Sequence, residues 1–350
     1  MLGILIFTTS SYKLLSAILK ENKRKSQDAF YLPTTPRNMF FFGGKTFTPS
    51  TDIPDLAGKV ILVTGGNNGL GKASIEQLAL HNPAKIYMGA RTESKAIAAI
   101  ESIKKVAPEA NIIFLELDLA SFASIKSAAD KFLAENTRLD ILMNNAGIMA
   151  TPPGLTTNGY EIQFGTNHMG HALLTKYLLP LLVKTAAEPN SDVRIINLSS
   201  VGHLGAPKAG IVFAEDKTDM ASYNTWTRYG QSKLANVLFT KGLAKRYPTI
   251  KSVAIHPGGV STGLMVPFAG SLGMIGHLVG GLMKLVMKSP EEGALGQLWA
   301  ATAVGEGAPE SGSFYYPVAK LHVGNALVTD EKLADELWTW SEKEFESQGY

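Results

Sequence analysis

The sequence predicts one α/β domain from residue 58 to residue 350, a doubly wound parallel sheet with helices on both faces. Two observations carry that expectation. Short runs rich in Val, Ile and Leu recur from Gly58 onward, with the even apolarity of strands buried on both sides. Longer amphipathic stretches separate them, the alternation that βαβ units require. No repeat and no internal boundary interrupts this pattern. With 45% hydrophobic and 18% charged residues, the chain can fill the core such a sheet needs.

The expected strands are Val60–Val63, Lys85–Met88, Ile112–Leu117, Ile141–Met143, Val193–Leu198 and Val253–Ile255. Between them, Lys72–His81, Lys95–Val106, Ser121–Glu135 and Ser232–Arg246 read as helices. Asp330–Gln348 carries Leu337, Trp338, Trp340 and Phe345 and reads as an amphipathic helix that caps the body.

Residues 1–57 form an N-terminal extension and lead-in. The first 19 residues are apolar apart from hydroxyls and Lys13, and a polar, basic stretch from Lys20 to Asp28 follows. A secretory signal would carry the opposite order of charge and apolar run. Lys13 interrupts the length that a bilayer span needs. The segment is expected to anchor the chain at a membrane or lipid surface, of the endoplasmic reticulum or lipid droplets. A mitochondrial presequence, or a helix packed on a cytoplasmic body, are the alternatives. Residues 30–57, rich in Pro, Phe and Thr, read as irregular.

Charge and cysteine content exclude several chemistries. The net charge of +3 falls on residues 1–57, which hold seven Lys/Arg and four Asp/Glu, while the rest has 26 of each. A neutral body lacks the basic face of a nucleic-acid-binding protein. The absence of cysteine removes disulfides, thiolate catalysis and every Cys-based metal site. His168 and His171 have no third ligand at metal spacing, so no metal is expected and a core or helix-surface role is assigned to both.

The first strand runs into Thr64-Gly65-Gly66-Asn67-Asn68-Gly69-Leu70-Gly71 and then a helix. Glycines there permit a tight turn and bring backbone amides to a pyrophosphate at the helix N-terminus. The next strand ends Met88-Gly89-Ala90-Arg91, without the acid that an NAD ribose site uses. A guanidinium can bind a 2′-phosphate through paired hydrogen bonds, so NADP is preferred over NAD. Further along, Tyr229 and Lys233 stand four residues apart, on one face of a helix. A free tyrosine titrates near pH 10, and a neighbouring ammonium favours its phenolate.

The Gly-x-x-x-Gly-x-Gly spacing and the Tyr-x-x-x-Lys pair resemble the short-chain dehydrogenase/reductase family, with a Rossmann-type fold. The segment Tyr229–Phe239 and the 29-residue separation from Ser200 to Tyr229 are most similar to its retinol-dehydrogenase-like branch, notably fungal members. The resemblance covers roughly residues 58–320. It implies cofactor contacts from Gly65, Asn67, Asn68, Gly69, Leu70, Gly71, Arg91, Asp118 and Asn145-Ala146-Gly147, with Asn144 completing that motif. It also implies contacts from Tyr229, Lys233 and the segment containing Pro257, Gly258, Val260 and Thr262. For catalysis it implies Ser200 on the substrate carbonyl, Tyr229 as proton donor and Lys233 on the ribose. Asn167 would hold a water in the proton relay, and Ser199 would support Ser200. Residues Val212–Thr227 are expected beside the substrate entrance, and a homodimer would pair through Leu173–Val183 and Ser232–Arg246.

From Ser252 to Met283 no side chain is formally charged, and Leu264–Met283 is rich in Gly, Met, Phe and aliphatics. An apolar cover over the site implies an apolar aldehyde, ketone or alcohol, because unpaired polar groups are costly to bury. The expected activity is therefore reversible hydride transfer between NADPH and a lipophilic carbonyl. A specialised biosynthetic ketoreductase and a non-catalytic NADP-binding scaffold are the alternatives.

Overall fold

The computed structural model describes residues 46–260, 287–322 and 324–350. The N-terminal apolar segment, Thr262 and the run Leu264–Met283 lie outside the described residues.

Eight strands form one sheet: β1 (Val60–Thr64), β2 (Lys85–Ala90), β3 (Ile112–Glu116), β4 (Ile141–Asn144), β5 (Arg194–Leu198), β6 (Lys251–Ile255), β7 (Phe314–Tyr316) and β8 (Lys320–Leu321). Their order is β3-β2-β1-β4-β5-β6-β7-β8. All neighbours are parallel except β7 and β8. The helices of ten or more residues are α1 (Gly69–Ala79), α2 (Glu93–Lys104), α3 (Phe122–Glu135), α4 (Gly170–Ala186), α5 (Thr225–Arg246), α6 (Pro290–Thr302) and α7 (Glu331–Ser347). The doubly wound sheet expected from the alternating pattern is the sheet observed.

Side-chain alternation divides the core into two layers. Leu62, Tyr87, Leu115, Leu142 and Ile195 pack with residues of α3, α4, α5 and α7. Ile61, Val63, Ile86, Met88, Met143, Ile196 and Val253 pack with α1, α2 and α6. Burial on both faces is why the central strands read as unbroken apolar runs. The packed body reaches back beyond residue 58, since Phe47, Ile53 and Leu56 are buried in the second layer.

Three elements have no counterpart in the sequence pattern. Helix α6 is buried along almost all its length through Gly293, Ala294, Gly296, Ala300 and Ala301, so it lacks the polar stripe that marks a surface helix. Its start is well specified: Ser289 and Glu292 form a reciprocal capping box around Pro290. Strands β7 and β8 are too short to show a period. Helix α5 begins at Thr225, ahead of both the expected stretch Ser232–Arg246 and Tyr229, because the Asn224 side chain accepts from the N–H groups of Trp226 and Thr227, both at 3.0 Å.

Helix α7 lies on α5 and α4. Trp338 stacks on Phe239 with centroids 5.6 Å apart, and Lys176 pairs with Glu342. The faces of α4 and α5 considered for homodimer pairing are thus partly occupied by the chain's own C-terminal helix. Among the described residues no helix is long and apolar enough to cross a membrane.

At the opposite end of the sheet from the strands' C-termini, Asp140 joins β1 to β4. Its carboxylate accepts from Val60 N at 2.9 Å, Lys59 Nζ at 3.1 Å and Arg138 Nη2 at 2.7 Å. Burial alone would raise this carboxyl, but the bonds from Arg138, Val60 and Lys59 outweigh it and hold the group below its ordinary range. Asp140→Ala is expected to lower unfolding free energy by about 3 kcal/mol near neutral pH, read by urea denaturation. The folded-state value is depressed, so this contribution is full above the ordinary carboxylate range. The gap between wild type and variant should close as acid protonates the group.

Candidate active site

Strand order reverses on either side of β1 and β4, so the connections leaving their C-terminal ends diverge and open a crevice. The turn after β1 lies at that point. Gly65 has φ +65°, a left-handed conformation that favours glycine. A Cβ on Gly71 would lie 2.4 Å from Gly65 O and 2.6 Å from Asn145 Nδ2, so this tight packing excludes any side chain. Asn68 caps α1 by accepting from Gly69 N at 2.8 Å. Asn67, Gly69 and Leu70 complete a partly exposed turn at the start of the helix.

Thr64 ties the two diverging strands together. Its Oγ1 accepts the N–H groups of both Asn145 and Ala146 at 3.0 Å. Asn145 Nδ2 returns a bond to Thr64 O at 2.8 Å. Asn144 lies below them, bonded to Asn197 at 2.8 Å and Thr175 at 3.2 Å. Gly147 leads on to the second half of the site: a Cβ there would meet Asn167 Oδ1 at 3.1 Å and Lys233 Nζ at 3.3 Å.

The remaining expected cofactor residues sit at strand ends. Arg91 directly follows β2, is exposed, and has no pairing partner among the described residues. Asp118 follows β3 and accepts from Ala120 N at 3.0 Å. Pro257 and Gly258 follow β6, and Gly258 has φ +90°. Val260 pairs with Lys288 and reaches Leu70 across Gly293, where a Cβ would sit 2.5 Å from one and 2.7 Å from the other.

Ser200, Tyr229, Lys233 and Asn167 come together where β5, α5 and a π-helical turn, Gly165–Met169, meet. Tyr229 is buried, and its phenol lies close enough to the Ser200 side chain for that hydroxyl to favour its ionised form. Ser200 Oγ also accepts from Gly202 N at 3.0 Å, so a turn cap and a site hydroxyl are one group. Ser199 points the other way, donating to Lys233 O at 2.7 Å. Lys233 Nζ donates to Leu198 O at 3.1 Å and lies 5.7 Å from the Tyr229 ring centroid. Asn167 Oδ1 accepts from Ile148 N at 2.8 Å, and its Nδ2 donates to Ile148 O and Ser232 Oγ, both at 2.9 Å. Ser232 Oγ in turn donates to Tyr229 O at 2.8 Å.

Burial sets the ionisation of the pair. It pushes the Tyr229 phenol up to about 12, against the lowering effect of Ser200. It brings the Lys233 ammonium down to about 8. The sequence suggests an ammonium that draws the phenol down; in the folded chain desolvation is the largest influence on it. At neutral pH the phenol holds its proton and Lys233 is still mostly charged.

A second buried network, not foreseen from the sequence, braces the start of α5. Arg228, next to Tyr229, donates to Glu161 Oε1 at 2.8 Å and Thr151 O at 3.0 Å. Gln231 donates to Asp216 Oδ1 at 2.6 Å and accepts from Val212 N at 2.9 Å, which ties the segment 212–220 to the helix. Burial raises both carboxyls, and Asp216 rises well above its ordinary range because it also faces Glu161. Arg228 and backbone N–H groups moderate the rise at Glu161. An apolar surface lies nearby: Val201, Leu204 and Trp226 are all more than 40% exposed, and Trp226 meets the Tyr229 ring edge-on at 6.3 Å.

A family model described as short chain dehydrogenase matches residues 59–269. A short-chain dehydrogenase/reductase of Aspergillus calidoustus, drtF, is 39% identical over 306 residues, covering 83% of this chain and 95% of its own. Retinol dehydrogenase 12 of Mus musculus is 35% identical over 310 residues, 88% of this chain and 92% of that one. A crystal structure of NADPH-bound carbonyl reductase from chicken fatty liver superposes with a TM-score of 0.57 at 27% identity, over 77% of this chain and 100% of that one. The chain belongs to the short-chain dehydrogenase/reductase family and is retinol-dehydrogenase-like within it: an oxidoreductase of alcohol and carbonyl groups that uses a nicotinamide cofactor.

Glu161→Gln leaves the Arg228 guanidinium buried without its countercharge. The expected loss of stability is about 3 kcal/mol in urea denaturation, well above the value of an exposed ion pair. A loss below about 1 kcal/mol would mean that solvent reaches the pair.

Proposed function

We propose that this chain catalyses reversible hydride transfer between NADP(H) and a lipophilic aldehyde, ketone or alcohol. The observation that carries this reading is the convergence of Ser200 and Lys233 on the buried Tyr229 side chain, with Lys233 Nζ 5.7 Å from its ring centroid.

The residues present fit a dinucleotide. The Gly65–Gly71 turn and the N-terminus of α1 would take the pyrophosphate, and Arg91 the 2′-phosphate. Asp118 would face the adenine, and Asn145, Ala146 and Gly147 would line the floor. Lys233 would reach the ribose hydroxyls, with Pro257, Gly258 and Val260 closing the nicotinamide end. When bound, the cofactor supplies or accepts the hydride.

The chain's own groups handle the proton. Ser200 Oγ–H donates to the substrate's carbonyl oxygen and polarises the C=O bond. Tyr229 Oη–H transfers its proton to that oxygen as charge develops there, which completes the alcohol and leaves a phenolate. The Lys233 ammonium stabilises that phenolate, and Asn167 would hold the water that returns a proton to Lys233. In the oxidative direction the same phenolate accepts the alcohol proton.

The exposed apolar side chains of Val201, Leu204 and Trp226 and the uncharged stretch from Ser252 support an apolar substrate. Likeness to a retinol dehydrogenase supports it too, and likeness to an NADPH-bound carbonyl reductase supports NADP(H) as the cofactor. A membrane or lipid-droplet location through residues 1–19 fits such a substrate.

Purified full-length protein should oxidise NADPH in preference to NADH with a panel of carbonyls, and turnover should rise with substrate apolarity. Tyr229→Phe should lower kcat by about 10²–10⁴-fold. Tight NADPH binding without turnover in either direction would favour the scaffold reading instead. For carbonyl reduction, the rate should stay level up to the Lys233 value of about 8 and fall above it, as the ammonium loses its proton. An unchanged rate well above that value would show that the ammonium is not required.

A further inference from the structure

We infer that His171 is a positioning residue that sets the register between the nucleotide-binding turn and the Tyr229–Lys233 helix, by linking Thr64 to the main chain of Asn167. The inference rests on the reading of Asn167, Tyr229 and Lys233 as the working cluster.

His171 is buried on α4, four residues after Asn167. Its Nε2 lies 2.8 Å from Thr64 Oγ1, and its Nδ1 lies 2.9 Å from Asn167 O. The direction of each bond follows from counting protons. Thr64 Oγ1 has one proton and two lone pairs. Both lone pairs accept, from Asn145 N and Ala146 N. The single proton goes to His171 Nε2 rather than to Met143 O, which is 3.4 Å away. Nε2 is therefore the acceptor, the ring proton sits on Nδ1, and Nδ1–H donates to Asn167 O. Burial brings the imidazole down to about 4, and the Lys233 charge acts in the same sense, so the ring stays neutral while the enzyme works.

The path continues without a gap. Asn167 Nδ2 donates to Ser232 Oγ, and Ser232 Oγ donates to Tyr229 O. Thr64 stands at the last residue of β1, directly before the glycine turn. The imidazole thus spans the distance between the strand that ends at the turn and the π-helical turn that braces α5. A leucine of similar bulk fills the space but carries neither the donor nor the acceptor. Glutamine carries both.

The test compares His171→Leu and His171→Gln with wild type in NADPH-dependent carbonyl reduction, with Tyr229→Phe as the control. Loss of the link should misplace Tyr229 relative to the bound cofactor, a fault that can cost on the order of 10²-fold. The expected result is a kcat lowered by about 10–100-fold in His171→Leu, with the KM for the carbonyl within about 3-fold of wild type and most of the loss restored in His171→Gln. Equal kcat in His171→Leu and wild type, while Tyr229→Phe is inactive, would overturn the role of His171 and leave the reductase reading standing. Full activity in Tyr229→Phe would overturn the reading itself. Should His171→Leu fail to fold, nitrogen-15 spectra of histidine-labelled wild type still decide, with the signal assigned by its loss in His171→Gln. A protonated Nδ1 with a bare Nε2 agrees with the inference, and the opposite tautomer contradicts it.

Discussion

The hydroxyl of Thr64 is the point on which the site depends. Chains leaving β1 and β4 turn in opposite directions at the centre of the sheet, and an open crevice there has few side chains to hold its two banks together. One residue holds them: its hydroxyl accepts two backbone N–H groups beyond the end of β4 while its own proton binds His171, and its carbonyl accepts from Asn145 Nδ2. The glycine turn begins at the next residue, so whatever binds to the turn is referenced to β4 and, through Asn167, to α5. At the far end of the same two strands, Asp140 makes the corresponding tie with charge instead of neutral hydrogen bonds.

Electrostatics in the site follow from exclusion of water more than from pairwise attraction. Tyr229 and Lys233 are both buried, and burial favours the neutral form of each. In the proposed mechanism this would preserve a proton for the tyrosine to give, and would lower the cost for the lysine of exchanging one near neutral pH. The buried Glu161–Arg228 pair adds fixed charge one residue away from Tyr229, with bonds to backbone groups that keep the helix start in place. Stability spent on burying ionic groups is here coupled to the orientation of the working face of α5.

Much of this was legible in the sequence, and the rest was hidden for identifiable reasons. The six central strands read clearly because burial on both faces leaves unbroken apolar runs, as in Ile61–Val63 and Ile195–Ile196. Ser200, Tyr229, Lys233 and Asn167 could be placed because their spacing follows a family pattern, and the fold brings them to one locus. Helix α6 escaped because small residues buried all around erase helical periodicity. His171 was read as a core or surface residue, since a lone histidine gives no sign of its partners. Its spacing of four from Asn167 was the only local hint, and Thr64 lies 107 positions away. The Glu161–Arg228 and Asp216–Gln231 contacts are likewise long-range pairings of ordinary polar residues.

A crystal structure of the complex with NADP would test the account most directly. The account predicts the pyrophosphate on the Gly65–Gly71 turn, the 2′-phosphate against Arg91, and the nicotinamide between Tyr229 and the Pro257–Gly258 segment. Thr64, His171 and Asn167 should keep the hydrogen bonds they have without ligand. A nucleotide bound elsewhere, or one whose ribose phosphate turns away from Arg91 while Thr64 releases His171, would contradict it.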